Sequence, residues 1–380
     1  MKQFMKQLLL CVLLATVLGI ESMIFAEAAA ASAAAASAAA AGSVESQAIR
    51  SQSALNELVL QEFRKVVSDY ETRVAVAKIA VARGELAPLN GGYWYTTDYF
   101  KLLSIAAESG VGQSQMATQR LEFFKRKLVF LMGSAPRKYF NFFDTYEDFR
   151  AKRTLTYILK EGVMPAEALE AIKGGALIFI DCGIAIQISY YSALKEMWGQ
   201  ELFNRYFLKK RMVLSFDLHQ TPLFQLTDRR EIEDASCRDC RPGEWVGFRN
   251  HSSYFDKEMN GCAGAFNVIV SESPSGEEDS SKFIGLGLPV RGITTSQMYQ
   301  ELVDGFNAEP FNDRIVLDDV WTERQCYGLQ YLIAKYEINR NLTISIEDLL
   351  QDGGGLVPRA GARYLNWVLI KSIGNVGSKV

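Results

Sequence analysis

The residues from Phe179 to Ile186 have the sequence Phe-Ile-Asp-Cys-Gly-Ile-Ala-Ile, and this stretch decides the fold prediction. Gly174 and Gly175 precede it, and an apolar segment follows it as far as Gly199, which is long enough for a buried helix. Cys182 then lies at the start of a helix, where unpaired backbone N–H groups and the helix dipole stabilise a thiolate. A cysteine beside an apolar helix can equally be a small core residue, and both interpretations stay open on these residues alone.

The segments on either side of this helix predict an α+β fold. Helical patterns precede it, and short β-like runs separated by polar loops follow it. A cysteine on a central helix with a small antiparallel sheet after it is the arrangement of papain-like cysteine enzymes. The predicted strands are Arg211–Leu218, Glu244–Phe248, Asn267–Val270 and Phe283–Leu288. Besides the cysteine helix, the predicted helices are Ser51–Ala82, Thr97–Ala107, Gln113–Met132, Pro165–Ile172, Ile293–Phe306 and Trp321–Tyr336.

The N-terminus has the pattern of an export signal. Lys2 and Lys6 precede the apolar run Leu8–Ile20, and small residues suited to cleavage follow at Ala26–Ala28. We therefore predict a signal peptide over residues 1–28 and an Ala/Ser-rich linker over residues 29–50. Export would end in the periplasm, at the cell surface or outside the cell. The chain would contact a membrane only through this signal, if it stays uncleaved as an anchor.

The composition excludes some classes of function. A net charge of −3 with 48% hydrophobic and 22% charged residues is ordinary for a globular protein and gives no reason to expect a nucleic-acid partner. The chain has two histidines, His219 and His251, so any mechanism that needs an imidazole must use one of them. We expect His219 to be structural and His251 to be a solvated loop residue.

From about Leu121 to Phe306 the chain resembles the bacterial spore-coat type of transglutaminase (protein-glutamine gamma-glutamyltransferase). The matching motifs fall in the same order along both sequences. They are Phe179–Ile186, Tyr190–Leu194, Gly199–Asn204, Phe216–His219, Gly243–Asn250, Asn267–Ile269 and Gly285–Gly287. The resemblance predicts a transglutaminase-like domain over residues 113–310. The remainder forms an N-terminal helical extension (residues 51–112) and a C-terminal helical extension (residues 311–380).

The resemblance also implies a chemistry. In that family a cysteine, here Cys182, attacks the carboxamide of a protein glutamine, ammonia leaves, and a lysine amine takes the acyl group. No cofactor is needed, and the partners are proteins or peptides. The family's supporting glutamate and histidine fall at Phe266 and Ile284, which cannot transfer protons. Loss of general acid–base help typically costs about 10²–10⁴ in rate.

These departures leave three hypotheses for the function. The first is a degenerate transglutaminase-like protein, a pseudoenzyme kept for binding. The second is an active, divergent cysteine acyltransferase or amidase that uses Cys182 with another partner, and the third is a structural exported protein. For the first hypothesis we expect the Cys182 sulfur to face two hydrocarbon side chains, Phe266 and Ile284.

The remaining cysteines suggest a second feature, which is structural. Cys237 and Cys240 form a Cys-x-x-Cys pair, followed by His251 and Cys262, and these four side chains could bind zinc. In an exported protein, disulfides among Cys237, Cys240 and Cys262 are the favoured alternative, so no metal is expected.

Overall fold

The computed structural model describes residues 49–76, 93–94, 138–147, 152–173, 178–215, 217–233, 237–257, 264–273, 281–308, 338–339, 341–357 and 361–377. The chain divides into a unit of residues 1–53, of which the described residues 49–53 are helical, and a unit of residues 54–380. The predicted signal segment, most of the linker and the predicted helix Gln113–Met132 lie outside the described residues.

The second unit combines helices and strands, as predicted. Its helices are α1 (residues 54–76), α2 (Pro165–Lys173), α3 (Cys182–Lys210), α4 (Tyr254–Lys257), α5 (Thr295–Asn307), α6 (Ile346–Gln351) and α7 (Trp367–Gly377). Its strands are β1 (Tyr93–Trp94), β2 (Phe140–Glu147), β3 (Lys152–Leu159), β4 (Ile178–Phe179), β5 (Val213–Ser215), β6 (Thr227–Arg230), β7 (Trp245–Arg249), β8 (Ala265–Glu272), β9 (Lys282–Ile284), β10 (Ile293–Thr294), β11 (Gly355–Leu356) and β12 (Ala362–Leu365). Among the described residues, none of these helices has the length and apolarity needed to cross a membrane.

The central helix α3 is interrupted where the sequence predicted its end. Gly199 has φ 72°, a left-handed conformation that glycine adopts without steric cost, and a second helical stretch continues to Lys210. In this second stretch the Asn204 side chain accepts a hydrogen bond of 2.8 Å from the backbone N–H of Ala166. The second half of α3 therefore satisfies a free donor at the start of α2.

The main sheet has the strand order β10-β9-β8-β7-β12-β6, with β11 also pairing with β7, and these pairs are antiparallel. A second antiparallel sheet has the order β2-β3-β5. Because successive side chains of a strand point to opposite faces, β8 directs Asn267 and Ile269 to one face and Phe266 and Val268 to the other. The identity of the residues near Cys182 therefore depends on this alternation.

A hydrophobic cluster lies on each face of the main sheet. On the first face, Ile269 and Ile284 pack with Ile184 and other residues of α3, and buried residues of α1 such as Phe63 belong to the same cluster. On the second face, Val268 packs with residues from α5, α6 and β7. The helix that begins at Cys182 thus covers the first face, and α1 helps to bury it.

Two parts of the fold differ from the sequence prediction. The C-terminal extension is not purely helical, because residues 341–377 include β11 and β12, and β12 lies inside the main sheet between β6 and β7. The aromatic segment after Tyr139 forms β2 of a hairpin with β3, for which the sequence predicted no strand. The strand β12 depends on partners that are distant in the chain. The strand β2 depends on a pairing with β3 that the local pattern does not specify.

Candidate active site around Cys182

Cys182 is the first residue of α3, and Asp181 is its N-cap. The Asp181 Oδ1 accepts a hydrogen bond of 2.6 Å from the backbone N–H of Ile184. Aspartate is a strong N-cap because its side chain satisfies a donor that has no partner within the helix. The sequence prediction that Cys182 begins a buried helix is confirmed.

A buried glutamine fixes the position of this helix against β5. The Gln187 Nε2 donates to the carbonyl of Ser215 at 2.5 Å, and the Ser215 N–H donates to the Gln187 Oε1 at 3.0 Å. Both residues are fully buried, and the side-chain amide of Gln187 satisfies the hydrogen-bonding groups of the Ser215 backbone. The first turns of α3 are therefore held by specific polar contacts as well as by apolar packing.

The Cys182 sulfur receives two hydrogen bonds, and Asn267 donates both. The backbone N–H of Asn267 lies 3.3 Å from the sulfur, and the side-chain Nδ2 lies 3.2 Å from it. The Asn267 Oδ1 accepts in turn from the Trp245 indole N–H at 2.9 Å. Trp245 packs edge-to-face on Tyr190 of α3, with ring centres 6.2 Å apart. The site is thus a chain of contacts from Trp245 through Asn267 to the thiol.

The surroundings of the thiol oppose its ionisation. Burial and, second to it, the neighbouring Asp181 carboxylate together raise the pKa of Cys182 to about 12, against the opposite effect of the Asn267 donors and the Gly183 N–H. Burial also raises the pKa of Asp181 to about 7, against the lowering effect of the backbone N–H groups that it accepts from. A helix N-terminus alone would lower a thiol pKa, so here desolvation and charge outweigh it.

The two family partner positions lie on different faces of the sheet. Ile284 pairs with Ile269 across β8 and β9, is fully buried, and belongs to the cluster that includes α3. Phe266 pairs with Phe248 and packs against the cluster on the opposite face. The expectation that the sulfur faces both hydrocarbon side chains is therefore wrong for Phe266, because Asn267, one residue further along β8, takes the position facing the thiol.

Neither histidine has a described contact with Cys182. His219 is exposed, and its ring lies 4.1 Å from that of Phe224. The His251 Nδ1 accepts a hydrogen bond of 3.1 Å from the N–H of Ser253 and lies 3.8 Å from the Asp352 carboxylate. The His251 ring also packs on Phe306 of α5. His251 is thus engaged with residues of the second face and is more than a solvated loop residue.

The Cys-x-x-Cys pair is a disulfide between Cys237 and Cys240, as the favoured interpretation predicted. Both sulfurs are buried in the second cluster, and the Arg230 guanidinium nearby bonds Glu244 and Asp239. Cys262 lies outside the described residues. Among the residues that the structure describes, no group of three or more His, Cys, Asp or Glu side chains could hold a metal ion.

Sequence reasoning missed two side chains of the site. Asn267 donates hydrogen bonds to the thiol, and Trp245 donates a hydrogen bond to Asn267. Asn267 and Trp245 both lie within quoted motifs, but neither residue type signals catalysis by itself. Asp181 belongs to the quoted Phe179–Ile186 stretch, but its residue type alone does not indicate that it caps the helix. The parity of residues along β8 and β7 could have placed Asn267 and Trp245 on one face, if the pairing of these strands had been known.

Comparison with known proteins supports the resemblance in the segment that carries this site. The model of the protein-glutamine gamma-glutamyltransferase family matches residues 140–307, which include Cys182, Trp245 and Asn267. No curated protein and no solved structure matches the chain. Residues 140–307, which hold the cysteine helix and the antiparallel strands that follow it, are therefore similar to the transglutaminase family.

Proposed function

We propose that this protein is an exported transglutaminase-like protein that binds protein or peptide segments at the Cys182 site without turning them over. The family acts on protein substrates, and its ancestral chemistry is acyl transfer. The cysteine helix and the strands that follow it are retained, as in a papain-like arrangement. The residues that would transfer protons are absent from the family's two partner positions, which hold Phe266 and Ile284.

The buried position of the thiol and the N–H donors that bond its sulfur are the observation that carries this proposal. In acyl transfer, the sulfur forms a bond to the glutamine carboxamide carbon, the C–N bond breaks, and the amide nitrogen takes up the thiol proton and leaves as ammonia. At pH 7 a thiol with a pKa of about 12 is ionised in roughly one molecule in 10⁵. Among the described residues, the groups that hydrogen-bond this sulfur are N–H donors of Asn267 and Gly183, which have no capacity to accept the thiol proton.

Export is supported by two independent features of the sequence and fold. The N-terminal residues have the charge and hydropathy pattern of a signal peptide. The disulfide between Cys237 and Cys240 is typical of proteins that fold in an oxidising compartment. We place the mature protein in the periplasm, at a bacterial cell surface or outside the cell.

Ammonia release tests the proposal directly. Glutamine-containing peptides are incubated with the wild type and with the Cys182→Ser variant, with and without a lysine-type amine, and ammonia is measured. We expect both proteins to give the same background, while peptide binding is detected by calorimetry for both. Release of ammonia by the wild type alone would overturn the assignment, and absence of peptide binding would favour the purely structural interpretation.

A second candidate function rests on Asp181. Its carboxyl pKa of about 7 is suited to proton transfer near neutral pH, and it directly precedes Cys182. In this alternative, an active acyltransferase or amidase, Asp181 takes the thiol proton and returns it to the leaving ammonia. Ammonia release that is lost both in Cys182→Ser and in Asp181→Asn would identify this function.

A further inference from the structure

The C-terminal strand β12 places an arginine beside the Cys182 site. Arg363 lies directly opposite Arg229 of β6 on one side and opposite Trp245 of β7 on the other. Residues directly opposite each other in an antiparallel pair share a face, so these three side chains lie on the face that carries Asn267 and the thiol. β12 lies outside the segment that matches the family, so that match does not include Arg363.

The surroundings of Arg363 provide support but no anionic partner. Its guanidinium carbon lies 5.1 Å from the ring centre of Phe224, and the side chain is half-buried. The backbone carbonyl of Arg363 accepts a hydrogen bond of 3.3 Å from the Tyr190 hydroxyl, which ties β12 to α3. Within the described part of the chain, no carboxylate forms an ion pair with the Arg363 guanidinium.

The Arg363 guanidinium lies in an electrostatically unfavourable environment. Like charges directly opposite each other in a sheet destabilise the pair, and Arg363 and Arg229 are such a pair. Burial and the neighbouring Arg229 charge both lower the pKa of Arg363. The ring of Phe224 offsets part of this cost, because a guanidinium stacks well on an aromatic face, but stacking leaves the in-plane N–H donors of the guanidinium available. An anion bound to the Arg363 guanidinium would offset this cost.

We infer that Arg363 binds the carboxylate of an acidic side chain in the protein segment that occupies the Cys182 site. This inference rests on the proposed function and names the class of segment: an acidic one. A planar guanidinium recognises a carboxylate through two parallel N–H···O bonds, which fixes the segment in position as well as adding affinity. The arginine is in the row of side chains that includes Trp245, whose indole N–H bonds Asn267, so the acidic residue would lie near the glutamine position.

Paired synthetic peptides test this inference. Each peptide has a central glutamine and one glutamate at a chosen distance from it, and its control has glutamine in place of that glutamate. Binding to the full exported chain is measured by calorimetry at low and high salt. For at least one glutamate position we expect binding about tenfold tighter than that of the control, as expected for one charge-assisted pair. High salt should reduce the difference.

Three variants identify the residue responsible. Arg363→Gln should remove the preference for glutamate, and Arg363→Lys should keep only part of it, because lysine retains the charge but loses the two-pronged geometry. Arg291→Gln removes the same charge from an exposed position and should leave the preference unchanged. Thermal unfolding of each variant shows whether it is folded.

The possible failures can be told apart. Equal binding of both peptides by the wild type overturns the inference but leaves the proposed function intact. A preference that survives in Arg363→Gln, or that disappears equally in Arg291→Gln, also overturns it. Failure of every peptide to bind the wild type refutes the proposed function and the inference together. Loss of the preference in Arg363→Gln with its partial retention in Arg363→Lys supports it.

Discussion

Replacing Asp181 by asparagine should make the Cys182 thiol more reactive. The Asp181 carboxylate both caps α3, through the N–H of Ile184, and raises the pKa of the thiol by its charge. Asparagine is about as good an N-cap as aspartate, because its side-chain oxygen accepts the same hydrogen bond. The substitution therefore removes the charge and retains the helix start.

The size of the effect follows from the two causes that raise the pKa of Cys182. Burial is the larger and stays in place, while the Asp181 charge is the second. Two unit charges a few ångströms apart interact by about 1–4 kcal/mol, depending on the effective dielectric constant. At 1.36 kcal/mol per pKa unit, removal of the charge lowers the thiol pKa by roughly one to three units. Because the thiolate of a more acidic thiol is a weaker nucleophile, about half of the logarithmic gain in the labelling rate is lost. We expect alkylation to be about 3- to 30-fold faster.

The assay is the rate of iodoacetamide labelling at Cys182, followed by peptide mass spectrometry at pH 8.5, where Asp181 with its pKa of about 7 is ionised. Asp217→Asn is the matched control, because Asp217 also caps a short helical turn, through the N–H of His219 at 3.0 Å. An unchanged or slower rate in Asp181→Asn would refute the electrostatic argument. An equal increase in Asp217→Asn would show that loosening of the fold, and not charge, exposes the thiol.

Three further predictions concern stability. Because the pKa of Asp181 is raised to about 7, its contribution to the free energy of unfolding is full below about pH 4 and is lost as pH rises through 7. Urea unfolding of the wild type should show this decline, by about a few kcal/mol, and Asp181→Asn should not. Trp245→Phe leaves the Asn267 Oδ1 without its donor and should cost about 1–3 kcal/mol in the same assay. Gly243→Ala should lower the free energy of unfolding by more than about 3 kcal/mol, because φ is 81° and a Cβ would lie 2.2 Å from a backbone oxygen of α1. Its control Gly162→Ala, with φ 78° but open space around the Cβ, should lower it by about 1 kcal/mol.

The sequence was informative where a local pattern determines the structure. The apolar run after Cys182 predicted α3, and Gly199 marked its break because a left-handed residue ends regular helix. The runs around Trp245 and Asn267 predicted β7 and β8 within one or two residues. The cysteine position and the disulfide alternative also followed from residue type and spacing.

The remaining features depend on pairings that a local pattern does not contain. Nothing in the sequence near Arg363 indicates that its strand lies between β6 and β7, since its partners are more than a hundred residues away. The site itself depends on strand parity. Alignment of motifs places Phe266 at the position of a supporting residue, but the hydrogen bonds of Asn267 to the sulfur require Phe266 to point the other way.

This parity decides which substitution could reintroduce catalysis. The family resemblance suggests Phe266→Glu, but a glutamate at that position would direct its carboxylate into the cluster around Phe248, on the face opposite Cys182. We therefore expect Phe266→Glu to lower the free energy of unfolding by about 1–3 kcal/mol, through a poorly paired polar group, and to release no ammonia from glutamine peptides. Urea unfolding and the ammonia assay measure the two effects in one protein sample. The control is a Phe266→Glu/Cys182→Ser double variant. If Phe266→Glu releases more ammonia than this control, residue 266 reaches the thiol, and the assignment of Phe266 to the face opposite Cys182 is wrong.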